Sequence, residues 1–210
     1  VQAGALAPYE QSLRDRSPLQ LVADDGQLLD LDVRRWLAGL DEADRSVMMR
    51  CTGAVLDVGC GPGRFVRAAA ELGLPSLGLD IAATAVSMTR RRGGSALMRS
   101  VFDPAPAEGR WPVVLLMDGN IGIGGDVVRL LERVRSLLAP GGRLLVEASP
   151  TAEMDRVLRV RFNAIGTAVG PRFGWAEVGL PALTRYAVDL GYSVEEVWSC
   201  AGRTFAALAR

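Results

Sequence analysis

The chain contains no histidine, and all 24 of its basic residues are arginine. Imidazole bases, histidine metal ligands and lysine Schiff bases are thereby excluded, and every side-chain cation is a guanidinium. Cysteine is scarce. Cys51, Cys60 and Cys200 are odd in number and widely spaced, which fits neither a disulfide framework nor the paired spacing of a zinc site. No metal is expected. Net charge is absent too, with 24 basic residues against 24 acidic ones, so no overall field draws the chain to nucleic acid or to an anionic membrane. Apolar runs such as 113–117 are far too short to cross a bilayer, and no signal-like start is visible, so a soluble protein in the reducing cytoplasm is expected. What is plentiful is apolar residue, 49% of 210, enough for one domain with a sizeable core and an extra subdomain.

The most informative stretch is Ala54 to Arg64. Val55, Leu56 and Val58 form the short apolar run of a strand covered on both faces, and Gly59, Gly61 and Gly63 then permit a tight turn that approaches a ligand closely. Asp57, just before the first glycine, suits a cationic amino group and would repel a pyrophosphate. Asp80 ends the next apolar segment, twenty-one positions after Gly59, where a carboxylate accepts both hydroxyls of a ribose. The ligand implied carries a ribose and an ammonium.

Around this unit the chain alternates strand and helix signals. Residues 19–31 read as a short hairpin about Asp25-Gly26, and Asp32 and Asp41 each open a helical segment as caps. Helices over 63–72, 81–92 and 126–138 alternate with strands at 77–79, 96–100, 113–117 and 143–148, which predicts a mainly parallel sheet. After a helix at 180–190, the runs 194–199 and 204–208 are separated by only four residues, too few for a crossover, so they form an antiparallel hairpin. Within 151–179, Leu158, Val160 and Phe162 alternate with arginines as in a half-buried strand, Gly170-Pro171 reads as a turn, and 173–175 as a returning strand or core cover. Arg90-Arg91-Arg92 lies at a helix C-terminus; a solvated helix end is the favoured reading over a nucleic-acid patch.

Leu56-Asp57-Val58-Gly59-Cys60-Gly61-Pro62-Gly63-Arg64, followed by Leu77-Gly78-Leu79-Asp80, resembles the nucleotide-binding half of the class I S-adenosylmethionine-dependent methyltransferases, in particular the small single-domain type. The resemblance is strong over 50–150 and extends by order of elements over 180–210. It implies an α/β fold, a Rossmann-like three-layer sandwich whose mainly parallel seven-stranded sheet ends in an antiparallel hairpin. Residues 1–49 are then an arm that covers cofactor or substrate, 50–150 the S-adenosylmethionine-binding core, 151–179 an inserted cover, and 180–210 the completion of the core.

The expected site lies beyond the strand ends. Cofactor contacts are expected from Asp57, Gly59, Cys60, Gly61, Gly63, Arg64, Asp80, Ile81, Ser100, Val101, Phe102, Asp118 and Asn120. Ser100 stands where the family often has an acid, which leaves Asp103 or backbone groups to meet the adenine amine. The glycine cluster at 119–125 reads either as leaving room for substrate or as a long tight connection, its role left open, with Asp126 capping the next helix. Asp118 and Glu147 are candidate bases, and Tyr9, Arg14, Phe173 and Trp175 candidate substrate contacts. The loop after the fourth strand lacks the Asn-Pro-Pro-aromatic signature of enzymes acting on base or glutamine amines. The expected activity is methyl transfer to a small molecule, chiefly by proximity and orientation. The alternatives are an RNA or protein methyltransferase, a non-catalytic S-adenosylmethionine-binding scaffold, and a nicotinamide-dependent reductase.

Overall fold

The computed structural model describes residues 5–164 and 167–210. Helix α1 (Ala7–Asp15) leads into a hairpin of β1 (Leu19–Ala23) and β2 (Leu28–Leu31), turning about Asp25-Gly26. Helices α2 (Val33–Leu37) and α3 (Glu42–Met48) follow, and both aspartates expected as caps serve as such. Asp32 accepts from the Arg35 amide, and Asp41 forms a reciprocal capping box with Asp44; each satisfies backbone donors that a helix start leaves open.

The alternating unit then runs β3 (Val55–Val58), α4 (Arg64–Glu71), β4 (Ser76–Asp80), α5 (Ala83–Arg91), β5 (Ala96–Met98), β6 (Trp111–Leu116), a 3-10 turn over Asn120–Gly125, α6 (Val127–Leu137) and β7 (Leu138–Glu147). After β8 (Asp155–Ala164) and β9 (Thr167–Val178) come α7 (Leu180–Asp189), β10 (Ser193–Cys200) and β11 (Arg203–Ala209). The main sheet has the order β10-β11-β7-β6-β3-β4-β5. Its β5, β4, β3, β6 and β7 are mutually parallel, whereas β11 runs antiparallel to β7 and β10 antiparallel to β11. The seven-stranded, mainly parallel sheet with its antiparallel end is therefore present. Strand β3 lies in the middle of the five parallel strands, buried at all four positions, so its carboxyl end opens where strand order reverses.

A second sheet, β2-β1-β8-β9, is wholly antiparallel and joins the N-terminal hairpin to the insertion through pairs such as Leu21 with Phe162. Its inner face packs Leu19, Leu21, Val160 and Phe162 onto Leu13, Val33, Ala82 and Ala85, which roofs the start of α5. One expectation is corrected here. Gly170-Pro171 is not the turn, because β8 and β9 stay paired up to Ala164 with Thr167. Val160 faces Phe173 while Phe162 faces Val169, so residues 170–172 form a bulge. Gly170 takes a positive φ of 77°, and Pro171 has no N–H to miss from the ladder.

Candidate active site

Backbone φ is positive at Gly59 (71°), Gly61 (53°) and Gly63 (81°), a conformation that only glycine adopts without strain. Each glycine also answers to a neighbour. A Cβ on Gly59 would fall 2.5 Å from Asn120 Nδ2, one on Gly63 2.5 Å from Thr89, and one on Gly61 3.5 Å from the Tyr9 hydroxyl. The Asp80 carboxylate underpins the bend, accepting from the amides of Gly61 (2.9 Å) and Ala82 (2.8 Å). Burial raises its pKa to about 6, against the lowering effect of those amides. Tyr9 stands against the same bend, edge-on to Trp36 with ring centroids 6.0 Å apart. Its phenol is pushed well above the usual range, by burial first and then by the charge of Asp80.

Asp57 is 2% exposed, and its Oδ2 has no hydrogen-bond partner. Burial lifts its pKa to about 7, with Arg64 opposing the rise. A buried carboxylate oxygen left unmatched costs free energy unless a donor arrives. The pairing of this acceptor with a three-glycine bend and a second carboxylate at Asp80 fits a ligand with an ammonium and a diol.

Beside this bend lies a buried ion-pair network. Arg64 binds Asp44 through Nε (2.8 Å) and Asp118 through Nη1 (2.6 Å), and Arg35 binds Asp118 at 2.9 Å. Arg203 reaches Asp44 (2.7 Å) and grips Glu147 with Nε (2.8 Å) and Nη2 (2.7 Å). Glu147 also accepts the Asp118 amide at 2.7 Å. Burial opposes ionisation of Asp44, but the two guanidiniums outweigh it and hold its pKa below the usual value. The structure thus brings Asp118 and Glu147 to the strand ends as expected, yet does not leave them poised as bases: every carboxylate oxygen of the two is engaged. Arg35, Asp44 and Arg203 escaped the sequence reading, and Asp41 was read only as a helix cap. For Arg35 and Asp44 the only advance signal was the expected location of residues 1–49 near the site.

Other expected residues sit as follows. Asn120 donates to the carbonyls of Val58 (2.9 Å) and Gly59 (3.1 Å), so the amide nitrogen of its side chain braces the glycine bend. The Cys60 thiol is buried with Val66, Val86 and Ala96, and burial raises its pKa far above the ordinary value; only its backbone belongs to the bend. Ile81 is exposed at the end of β4. Val101 is buried, Ser100 Oγ accepts the Phe102 amide (3.2 Å), and the Phe102 ring lies 4.4 Å under the Arg129 guanidinium. Asp103 is exposed and its carbonyl accepts from Arg133. Asp126 caps α6.

Arg14 anchors α1 to Thr84 at 2.8 Å and faces solvent. Phe173 packs on Phe162, centroids 5.3 Å apart. Trp175 lies over the 119–122 turn, 2.9 Å from where a Gly122 Cβ would sit. At Gly122 and Gly125 the glycine-rich turn leaves no room for substrate. Added Cβ atoms at Gly122 and Gly125 would run into the backbone of Ala176 and Gly174, so these glycines exist to let β9 approach. The basic run is likewise spent internally, Arg90 on the Ala96 carbonyl and Arg92 on the carbonyls of Pro62 and Leu37, which leaves Arg91 alone of the three facing outward without such a bond.

Residues 55–142 match the family model described as a methyltransferase domain. A ribosomal protein L11 methyltransferase of Xylella fastidiosa is 38% identical over 112 residues, 51% of this chain. The chain spans about a third, 35%, of the length of that relative. Among solved structures, a SAM-dependent methyltransferase from Bacteroides fragilis in complex with S-adenosyl-L-homocysteine superposes with a TM-score of 0.76 at 20% identity, covering 96% of this chain and 92% of its own. A Burkholderia thailandensis 1,6-didemethyltoxoflavin-N1-methyltransferase superposes with a TM-score of 0.60 at 16% identity, over 78% of this chain and 73% of its own.

Proposed function

We propose that the chain is a class I S-adenosylmethionine-dependent methyltransferase, a reading supported by the methyltransferase-domain match over residues 55–142, and that it binds S-adenosylmethionine beyond β3 and β4 and transfers its methyl group to a small-molecule acceptor. One observation carries this reading: the unmatched, buried oxygen of Asp57 beneath a glycine bend that Asp80 stabilises. Asp57 would hold the ammonium, Asp80 the ribose hydroxyls, the amides of the bend the amino-acid end, and the backbone about Val101 and Phe102 the adenine side. When bound, the sulfonium supplies an electrophilic methyl and a leaving group that departs neutral.

The protein's own task is then alignment and exclusion of water. Asp118 and Glu147 serve it by fixing the strand ends, being held by arginines on every oxygen. Rate enhancement rests on orientation, which in well-aligned systems accounts for about 7–11 kcal/mol of barrier. The small-molecule reading draws support from the roof of α1, α2 and the second sheet, which turns Tyr9, Trp36, Phe173 and Trp175 inward into one apolar layer.

Asp80→Asn keeps the side-chain shape while weakening the grip on a diol. Its affinity for S-adenosylhomocysteine by calorimetry is expected to fall at least about tenfold, as for loss of a hydrogen bond to a charged group. Unchanged affinity in the folded variant sinks the proposal. A protein acceptor is the second reading, favoured by the similarity to the L11 methyltransferase. Incubation with labelled cofactor and either ribosomal protein L11 or a metabolite extract separates the two, and cofactor binding with no transfer to either favours a scaffold.

A further inference from the structure

Four buried side-chain polar atoms among the described residues lack a partner: Asp57 Oδ2, Arg35 Nε, Trp36 Nε1 and Arg135 Nε. The last lies away from the site, on α6 beside Leu190 and Arg210. Asp57 offers an acceptor, already accounted for by an ammonium. The other two are donors on consecutive residues of the short helix α2, and nothing in the proposed reaction has used them.

Their setting is fixed from both sides. The Arg35 Nη2 is bound to Asp118 Oδ1 at 2.9 Å, which holds that guanidinium over the loop after β6. The Trp36 ring meets Tyr9, whose hydroxyl stands against Gly61 in the loop after β3. Since β3 and β6 are adjacent strands, α2 bridges the mouths of the two loops from which the site is built. A buried N–H left without an acceptor is disfavoured, and here two fall on consecutive residues of one short helix. The other cations of the site are occupied. Arg64 spends Nε, Nη1 and Nη2 on Asp44 and Asp118, and Arg203 spends the same three on Asp44 and Glu147. Arg35 alone of the three retains an uncommitted buried N–H.

Resting on the methyltransferase reading, we propose that Arg35 Nε and Trp36 Nε1 form a seat for a carboxylate, carried either by the methionyl end of the cofactor or by the methyl acceptor. A planar group with two oxygens offers one acceptor to each donor, and a guanidinium beside it compensates the charge. The arm of residues 1–49 then does more than cover the site: it reads the ligand's anionic end.

The test compares wild type, Trp36→Phe and Arg35→Lys. The first keeps an aromatic ring against Tyr9 and removes the N–H; the second keeps a cation for Asp118 and removes Nε. Calorimetric titrations use S-adenosylhomocysteine, which has the carboxylate, and 5′-methylthioadenosine, which lacks the amino-acid end. Benzoate is titrated separately into the S-adenosylhomocysteine complex. If the cofactor supplies the carboxylate, both variants bind S-adenosylhomocysteine at least about tenfold more weakly and methylthioadenosine unchanged. If the acceptor supplies it, both nucleosides bind as in wild type and benzoate binding falls by a similar factor in either variant. Wild-type affinities retained in both variants for all three probes overturn the seat alone. Wild-type protein that binds neither nucleoside overturns the methyltransferase reading and the seat with it.

Discussion

Asp57 is held in the fold at a cost that depends on pH. Its pKa rises from an ordinary 3.8 to about 7, burial being the main cause, so the folded state binds its proton more tightly than the unfolded chain does. Stability from this group therefore falls as pH climbs from about 4 to about 7 and levels off above, and Asp80, raised to about 6, adds the same sign over a narrower window. Asp57→Asn removes the ionisation that folding opposes. In the absence of ligand it is expected to stabilise the protein at pH 8 by on the order of 2–4 kcal/mol, with little gain at pH 4, as read by urea denaturation at the two pH values. Binding should move the opposite way. An ammonium needs the carboxylate, so wild-type affinity for S-adenosylhomocysteine should drop by up to about tenfold per pH unit below 7, and in Asp57→Asn the part of this dependence above about pH 6, where Asp80 is still ionised, should vanish. A pH-independent wild-type affinity contradicts the role given to Asp57. The positions of both aspartates at the strand ends could be read from the sequence, because they are set by distance from a strand and a glycine. Asp118 and Glu147 were legible only as positions. What occupies them is decided by Arg35, Arg64 and Arg203, three residues from separate segments whose convergence no local pattern encodes.

The same division between local and non-local signals separates the two sheets. Strands β3 to β7 and the β10–β11 hairpin could be read because each apolar run is followed by a helix or a turn that dictates its direction. The second sheet could not, since β1 pairs with β8 across most of the chain, as in Gln20 with Asn163, and short alternating strands carry no address for their partner. The role of the 119–125 turn stayed open for a related reason: Gly122 and Gly125 answer to β9, about fifty residues on. In that turn Gly122 and Gly125 lie under Ala176 and Gly174 so closely that a methyl has nowhere to go, and the opposing atoms are backbone, which yields little. Gly122→Ala is expected to cost on the order of 2–4 kcal/mol in urea unfolding, within the range for overpacking and backbone displacement. Gly39 is the matched control, having no atom within 4 Å of its added Cβ and no positive φ. Gly39→Ala should be neutral or slightly stabilising through the unfolded chain. Equal effects of the two changes would refute the close-approach role of the turn.

At the scale of the whole molecule, the buried ion pairs link three parts that are remote in sequence, alongside the apolar cluster that joins Val47, Leu145 and Phe205. Asp44 and Arg35 belong to the N-terminal arm, Arg64, Asp118 and Glu147 to the central α/β unit, and Arg203 to the terminal hairpin. Arg203 is the joint, 10% exposed and bound to Asp44 and Glu147 at 2.7 Å each. Such a group need not add net stability over an apolar replacement of the whole network, since bringing the charges out of water offsets much of their attraction. Removing one member is different, because it strands the others. Arg203→Met leaves Asp44 with Arg64 alone and Glu147 with no cation, and is expected to destabilise the protein by about 3–5 kcal/mol. Adding Glu147→Gln to it should recover part of that loss, as the stranded charge is gone. A thermodynamic cycle over the two single variants and the double variant measures the coupling, and additive effects would show that the pair is not one unit. Because the pair lies directly behind the Asp118 amide, the loss should also reach the ligand site. Affinity for S-adenosylhomocysteine should fall in Arg203→Met under conditions where the variant remains folded, since the loop after β6 is then no longer held from below.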